Sequence, residues 1–159
     1  MKSYTADICD KFKGEVQIVN PVFKSYGGTA MCRGQITTIE LDEDNTDLVK
    51  LLRDENGEGK ICVVNVKGNY AAVVGETLMG YAYENGWEGI VINGYVRDTH
   101  QTSIIPVGLF ALGTYPHKSE KKAAGIRDIE LSFEGATFRV GEYLFADNDG
   151  IVTMPHDNL

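Results

Sequence analysis

Residues 87–98 read Trp-Glu-Gly-Ile-Val-Ile-Asn-Gly-Tyr-Val-Arg-Asp. Gly89 opens a short apolar run, Ile90-Val91-Ile92, which predicts a strand buried on both faces. Asn93-Gly94 is expected to break that run in a turn, and Arg97 and Asp98 follow side by side. A buried strand that ends in a glycine turn delivers its next polar residues to one rim of a sheet. Such rims are where open α/β sheets bind ligands. The plainer alternative is a solvated charge pair in a polar loop.

The residues upstream favour the rim. Ile61-Cys62-Val63-Val64-Asn65-Val66 is a second continuous apolar run, hence a second buried strand, and Lys67-Gly68-Asn69 reads as a turn. Tyr70-Ala71-Ala72-Val73-Val74 then passes into Gly75-Glu76-Thr77-Leu78. From there Leu78, Tyr81, Ala82 and Asn85 follow helical spacing, with Gly86 suited to close the helix. The N-terminus of that helix, at Gly75, exposes free backbone N–H groups, and the glycine lets a ligand approach closely. That makes an anion site without a charged side chain. In a right-handed crossover between parallel strands, the segments after both strands lie on the same rim. The amides at 75–78, the Arg97 guanidinium and the Asp98 carboxylate are therefore expected together. A small carboxylate substrate with a divalent cation fits that set.

Composition bounds the rest. The 159 residues make one domain, 43% hydrophobic, with 18 glycines for tight turns. No run approaches roughly 18 apolar residues, so no membrane span is expected. The N-terminus lacks the apolar core of a signal peptide. Cys9, Cys32 and Cys62 are odd in number and widely spaced, which suits reduced thiols in a cytoplasm. A net charge of −8 argues against a nucleic-acid surface. The one basic knot, Lys118-Ser-Glu-Lys-Lys122, is interrupted by Glu120 and reads as a solvated loop.

Elsewhere, Ser3 to Asp7 offers capping residues for a short helix reaching Phe12. Val16–Val19 is extended, and Gly34–Leu41 alternates as a half-buried strand. Asp42-Glu43-Asp44 is expected to cap and precede a helix carrying Leu48, Leu51 and Leu52 rather than to bind metal, with Gly57 and Gly59 closing that helix. The C-terminal third reads as β: Pro106–Leu112, Ile129–Phe133, Ala136–Val140, Tyr143–Ala146 and Ile151–Met154. Gly113 to Gly125 reads as a long polar loop between them. Asp147 and Asp149 could hold calcium in an open loop, but a hairpin turn is the better account. The histidines at 100, 117 and 156 lack metal spacing, although His100 lies two residues beyond Asp98.

Seven pieces, in order, resemble a known family. They are Asp7–Asp10, Val22–Gly28, Gly75–Leu78, Asn85–Val91, Gly94–Asp98, Pro116–Ser119 and Ala146–Val152. The family is named for the regulator of ribonuclease E activity A and also contains 4-hydroxy-4-methyl-2-oxoglutarate aldolases with oxaloacetate decarboxylase activity. The resemblance implies a layered β/β/α sandwich with a swivelling-domain-like β core. It also implies a homotrimer with a cleft between neighbouring subunits; further pairing of trimers stays open. By the same resemblance, Gly75, Glu76, Thr77 and Leu78 bind the substrate carboxylate, Arg97 binds the substrate, and Asp98 ligates Mg²⁺ or Mn²⁺. Arg97 and Asp98 would be the catalytic pair acting on a small 2-keto acid.

Two positions depart from the aldolase pattern. Gln101 stands where an acidic residue is usual, and Asn65-Val66-Lys67-Gly68 replaces an Asp followed by glycines. The resemblance also carries a competing class of function, a non-catalytic regulator whose acidic surface binds ribonuclease E or an RNA helicase. A member with neither role is the third reading.

Overall fold

The computed structural model describes residues 4–67, 70–120 and 123–157. The turn expected at Gly68-Asn69 and part of the basic knot, Lys121-Lys122, lie outside them. The chain runs α1 (Tyr4–Lys11), β1 (Gln17–Ile18), β2 (Lys24–Ser25), β3 (Cys32–Leu41) and α2 (Thr46–Asp54). It continues with β4 (Lys60–Val66), β5 (Ala72–Val74), α3 (Glu76–Glu84), β6 (Gly89–Val96) and α4 (Thr99–Thr102). The last third is β7 (Gly108–Thr114), β8 (Ile126–Arg127), β9 (Leu131–Phe133), β10 (Ala136–Phe138), β11 (Tyr143–Asp147) and β12 (Gly150–Met154).

The two apolar runs of the sequence are the parallel centre of the sheet. β3, β4, β6 and β7 lie side by side, with Val63 opposite Val91 and Val91 opposite Phe110. The full path is β1-β12-β11-β3-β4-β6-β7-β2. β1 and β2 stand at opposite edges, yet only the residues between Ile18 and Lys24 join them, a reach of about 21 Å at most. Eight strands laid flat would separate the edges by about 34 Å. The sheet must curl, and the connecting segment shows which way. Val19 and Phe23 pack with Ile36, Ile61, Val63, Val91 and Phe110, so that face is concave. The β9–β10 hairpin covers it with Leu131 and Phe138.

On the convex face the alternate residues Ile39, Cys62, Val64, Ile90 and Ile92 receive α2 and α3. Leu48, Leu51 and Leu52 of α2 are fully buried, each worth roughly 1.5–3 kcal/mol of burial. α1 caps a third cluster around Phe145 and Met154. The order hairpin, curled sheet, helices is the expected layered α/β architecture. Among the described residues, no helix is long and apolar enough to cross a membrane.

Several local expectations are corrected. Asn93-Gly94 does not end the central strand: β6 runs on to Val96, with a register shift between Ile92 and Tyr95 that absorbs the glycine. Gly57 does not close α2, which stops at Asp54; it lies beneath the buried Trp87 ring, where a Cβ would come within 2.2 Å of Cγ. Asp44 supplies the helix signal at α2 from one residue further upstream than a usual N-cap, accepting from the Thr46 amide at 2.9 Å and hydroxyl at 2.6 Å. The loop expected over Gly113–Gly125 is partly structured, because Lys118 pairs with Ala72 alongside β5.

Candidate active site

The crossover places its parts on one rim as the topology requires, with one element the sequence reading missed. Between β4 and α3 the chain inserts β5, which pairs in parallel with the last residues of β6. β5 ends at Val74 and α3 begins at Glu76, so Gly75 sits at the helix N-cap. β6 ends at Val96, and the Arg97 amide donates to the Val74 carbonyl at 3.0 Å. That bond ties the two segment ends together.

Asp98 occupies the left-handed region, at φ 57° and ψ 37°. A non-glycine residue there is uncommon and stores strain, a feature concentrated at functional sites. The conformation turns its carboxylate back onto α3: the Glu76 amide donates to Oδ2 at 3.0 Å. Gly75 has no capping side chain, and Asp98 supplies the missing cap from 22 residues away. The fit depends on glycine, since a Cβ at position 75 would lie 2.5 Å from Asp98 Oδ2.

This bond revises how the anion site is shared. Of the amides at the start of α3, that of Glu76 is already engaged by Asp98. Those of Thr77 and Leu78 have no hydrogen-bond partner among the described residues. Arg97 donates from Nη1 to the Pro116 carbonyl at 3.3 Å and has no ion-pair partner among the described residues. A cavity of about 350 Å³ gathers these groups: Gly75, Thr77, Leu78, Arg97 and Asp98 line it, over a floor of Ala72, Val73 and Val74. The Asn45 side chain closes one side, donating to the Val73 carbonyl at 2.8 Å.

The remaining wall is the segment read from sequence as a solvated loop. Lys118, Ser119 and Glu120 line the cavity, and Ser119 is buried. The Ala72 amide donates to the His117 carbonyl at 2.9 Å and the Ser119 amide to the Ala72 carbonyl at 3.1 Å, which makes this segment a strand-like neighbour of β5. The signal missed was the pairing of a charged segment with an apolar one far away in sequence, which periodicity does not report.

Other candidates fall outside the cavity. Gln101 and His100 are exposed on α4 and do not line it. Asn65 does not line it either, because its side chain is engaged with Glu40 and Asn93. Asp147 accepts from the Thr5 amide and hydroxyl and from the Asp149 amide, which is a turn and helix tether rather than an open calcium loop. Among the described residues no cluster of three or more His, Cys, Asp or Glu could form an all-protein metal cage. One carboxylate with waters and a substrate is nonetheless an ordinary environment for Mg²⁺, which keeps much of its hydration. Asp98 fits that use: Oδ2 is fixed by α3, and Oδ1 has no hydrogen-bond partner among the described residues.

A family model described as Aldolase/RraA matches residues 5–153. A protein of Laribacter hongkongensis (strain HLHK9) carrying the name "Putative 4-hydroxy-4-methyl-2-oxoglutarate aldolase" is 43% identical over 98% of each chain. Two solved structures superpose with a TM-score of 0.93. One, described as an S-adenosylmethionine:2-dimethylmenaquinone methyltransferase from Geobacillus kaustophilus HTA426, is 38% identical and covers 99% of this chain and 97% of its own. The other, described as the RNA-processing inhibitor RraA from Thermus thermophilis, is 36% identical, covering 100% and 96%. The match of the family model and the identity with these relatives place the chain in the Aldolase/RraA family.

Proposed function

We propose that the protein is a divalent-metal-dependent lyase that cleaves a carbon–carbon bond of a 2-keto acid. Its reactions would be 4-hydroxy-4-methyl-2-oxoglutarate to pyruvate, and oxaloacetate to pyruvate and CO₂. The observation that carries this reading is the shared rim. Arg97, Asp98 and the residues of two helix amides with no partner among the described residues, Thr77 and Leu78, line one cavity, tied together by the 3.0 Å bond from Glu76 to Asp98. The name of the Laribacter hongkongensis relative supports the same activity.

Asp98 would hold Mg²⁺ or Mn²⁺, and that cation would supply Lewis-acid polarisation of the 2-keto oxygen. The chain's own groups do the rest. The amides of Thr77 and Leu78, at the positive end of α3, bind the C1 carboxylate. Arg97 offers a planar fork of donors to the same carboxylate and to the keto oxygen. When the C3–C4 bond breaks, its electron pair is drawn toward the C2 oxygen. In the aldol cleavage the C4 hydroxyl gives its proton to water as C4 becomes the carbonyl of a second pyruvate, and in the decarboxylation C4 leaves as CO₂. Arg97 stabilises the negative charge there, which leaves pyruvate as its enolate until a proton arrives at C3. Assembly as a homotrimer, with this cavity opening toward a neighbouring subunit, and residence in the cytoplasm belong to the same proposal. Sedimentation at the mass of three chains checks the assembly.

Pyruvate release from oxaloacetate tests the activity, measured with Mg²⁺ or Mn²⁺, with EDTA, and with Asp98→Ala. Release that needs the cation and falls to the metal-only background in Asp98→Ala is the expected result. Release from the wild type no faster than metal alone rejects it.

One observation favours a second reading, a protein-binding regulator. A structure 36% identical to this chain is described as an RNA-processing inhibitor, and this chain carries net charge −8. Inhibition of ribonuclease E cleavage by wild type and Asp98→Ala alike would establish that role independently of the cavity.

A further inference from the structure

Lys118 is the cation that the proposed chemistry leaves unused. Among the described residues it has no ion-pair partner, and with Arg97 it is one of two basic residues lining the cavity. It is not carried on a free loop. The hydrogen bonds of Ala72 with His117 and Ser119 fix the Lys118 backbone beside the first residue of β5. The buried Ser119 anchors the segment from the other side. α3 begins at Glu76, four residues beyond Ala72, so the start of the helix and the Lys118 backbone stand about 13 Å apart along the cavity floor. The four-carbon stem of lysine lets its ammonium swing across much of that distance.

The charges around the cavity are therefore asymmetric. One carboxylate of a ligand is already satisfied at the α3 end by Thr77, Leu78 and Arg97. At the far end stand Lys118, Ser119 and the exposed Glu120; among the described residues Lys118 forms no ion pair with Glu120, so its ammonium is the donor there that the proposed cleavage step leaves unused. We infer that Lys118 is a specificity-determining residue, whose ammonium pairs with a second carboxylate at the distal end of the substrate. Ser119, beside it, lines the same subsite. This rests on the reading of the cavity as a 2-keto acid site and adds the residue that separates dicarboxylic keto acids from monocarboxylic ones.

Binding of two uncleavable ligands of equal chain length tests the role. 2-Oxoglutarate carries the distal carboxylate, and 2-oxopentanoate ends in a methyl group. Titration calorimetry on the full chain with Mg²⁺ should give about fivefold tighter binding of 2-oxoglutarate, the upper end for an exposed ion pair, shrinking as salt is raised. Lys118→Met should weaken 2-oxoglutarate alone and bring the two ligands within twofold, while Lys118→Arg keeps most of the preference. In cleavage of 4-hydroxy-4-methyl-2-oxoglutarate, whose distal carboxylate keeps its charge throughout, Lys118→Met should raise KM and leave kcat nearly unchanged. Equal binding of both ligands by the wild type, binding of neither, or an unaltered ratio in Lys118→Met overturns the assignment. Failure of the lyase reading shows separately, as absence of cation-dependent pyruvate release by the wild type whatever the binding ratio.

Discussion

Glu40, Asn65 and Asn93 stand in register across β3, β4 and β6 near the C-terminal ends of those strands, and Arg97 and Asp98 follow a few residues further along the same β6 segment. The two groups are built differently. In the row, Asn93 donates to Asn65 at 2.9 Å, Asn65 donates to Glu40 at 3.2 Å, and Lys67 stands 3.8 Å from Glu40. Each polar side chain there is answered by its neighbour. At the rim, the Thr77 and Leu78 amides and one Asp98 oxygen have no hydrogen-bond partner among the described residues, and Arg97 spends one donor on a carbonyl at 3.3 Å. A satisfied network rigidifies a sheet; an unsatisfied one, where water or a ligand can reach it, is available for binding. Proximity to the switch between strands does not distinguish them. Hydrogen-bond accounting does.

The sharpest way to break that contrast is at Gly75. Its φ of −143° is open to any residue, so backbone torsion is no obstacle to alanine; the 2.5 Å approach of a Cβ to Asp98 Oδ2 is. Gly75→Ala should drive the Asp98 carboxylate off the Glu76 amide. A displacement of about 1 Å at a reacting centre costs about a hundredfold in rate. We expect kcat/KM for oxaloacetate to fall by that order and Mn²⁺ affinity to weaken, with the circular dichroism spectrum unchanged. An alanine variant as active as wild type would mean that Asp98 does not need α3 to hold it. Arg97→Lys keeps the charge and loses the fork. It should cost about tenfold to a hundredfold in kcat/KM, the worth of a hydrogen bond to a charged group, and a change under threefold would remove Arg97 from the chemistry.

Some of this was legible in the chain and some was not. The apolar runs at 61–66 and 90–92 announce parallel strands, and the glycine-led helix at 75 announces a helix N-terminus on the same rim. Both follow from periodicity and from the handedness of crossovers. The tether between Asp98 and α3 was not legible, because it depends on a left-handed torsion at a non-glycine residue, which no local pattern signals. β5 was hidden for a related reason: its three residues form a strand only because the end of β6 and the segment at Lys118 flank them. Asn65, which opens the turn that departs from the aldolase pattern, has its side chain in the closed row and does not line the cavity.

Away from the rim, the sealed part of the molecule should respond to pH rather than to ligand. Burial pushes the Cys32 thiol up to about 12, helped by the nearby Glu88 charge, and burial pushes Cys62 up to about 12 as well. An unfolded thiol ionises near 8.5, so above that value the unfolded chain releases protons that the folded chain retains. Stability contributed by the neutral thiols is full below pH 8 and falls as pH rises, by about 1.4 kcal/mol per unit for each thiol. Urea unfolding at pH 8 and pH 10 should therefore differ by a few kcal/mol. Cys62→Ala, although less stable at pH 8, should show a shallower decline by one thiol's share. A slope identical to wild type would place the alkaline sensitivity elsewhere.

The smallest effect belongs to the closed row, and it is the one that tests the contrast from the other side. Asn93→Ala removes the donor to Asn65 Oδ1 and leaves the bond from Asn65 to Glu40 in place. The site is half-buried, so water replaces part of what is lost, and the cost should be about 1 kcal/mol of folding stability. Because the row does not line the cavity, kcat/KM should stay within twofold of wild type and Mn²⁺ affinity should not move. A variant that kept its stability and lost its activity would show that the row feeds the rim. The division between a structural network and a functional one, drawn from which hydrogen bonds are closed, would then fail at the point where the two lie nearest along the chain.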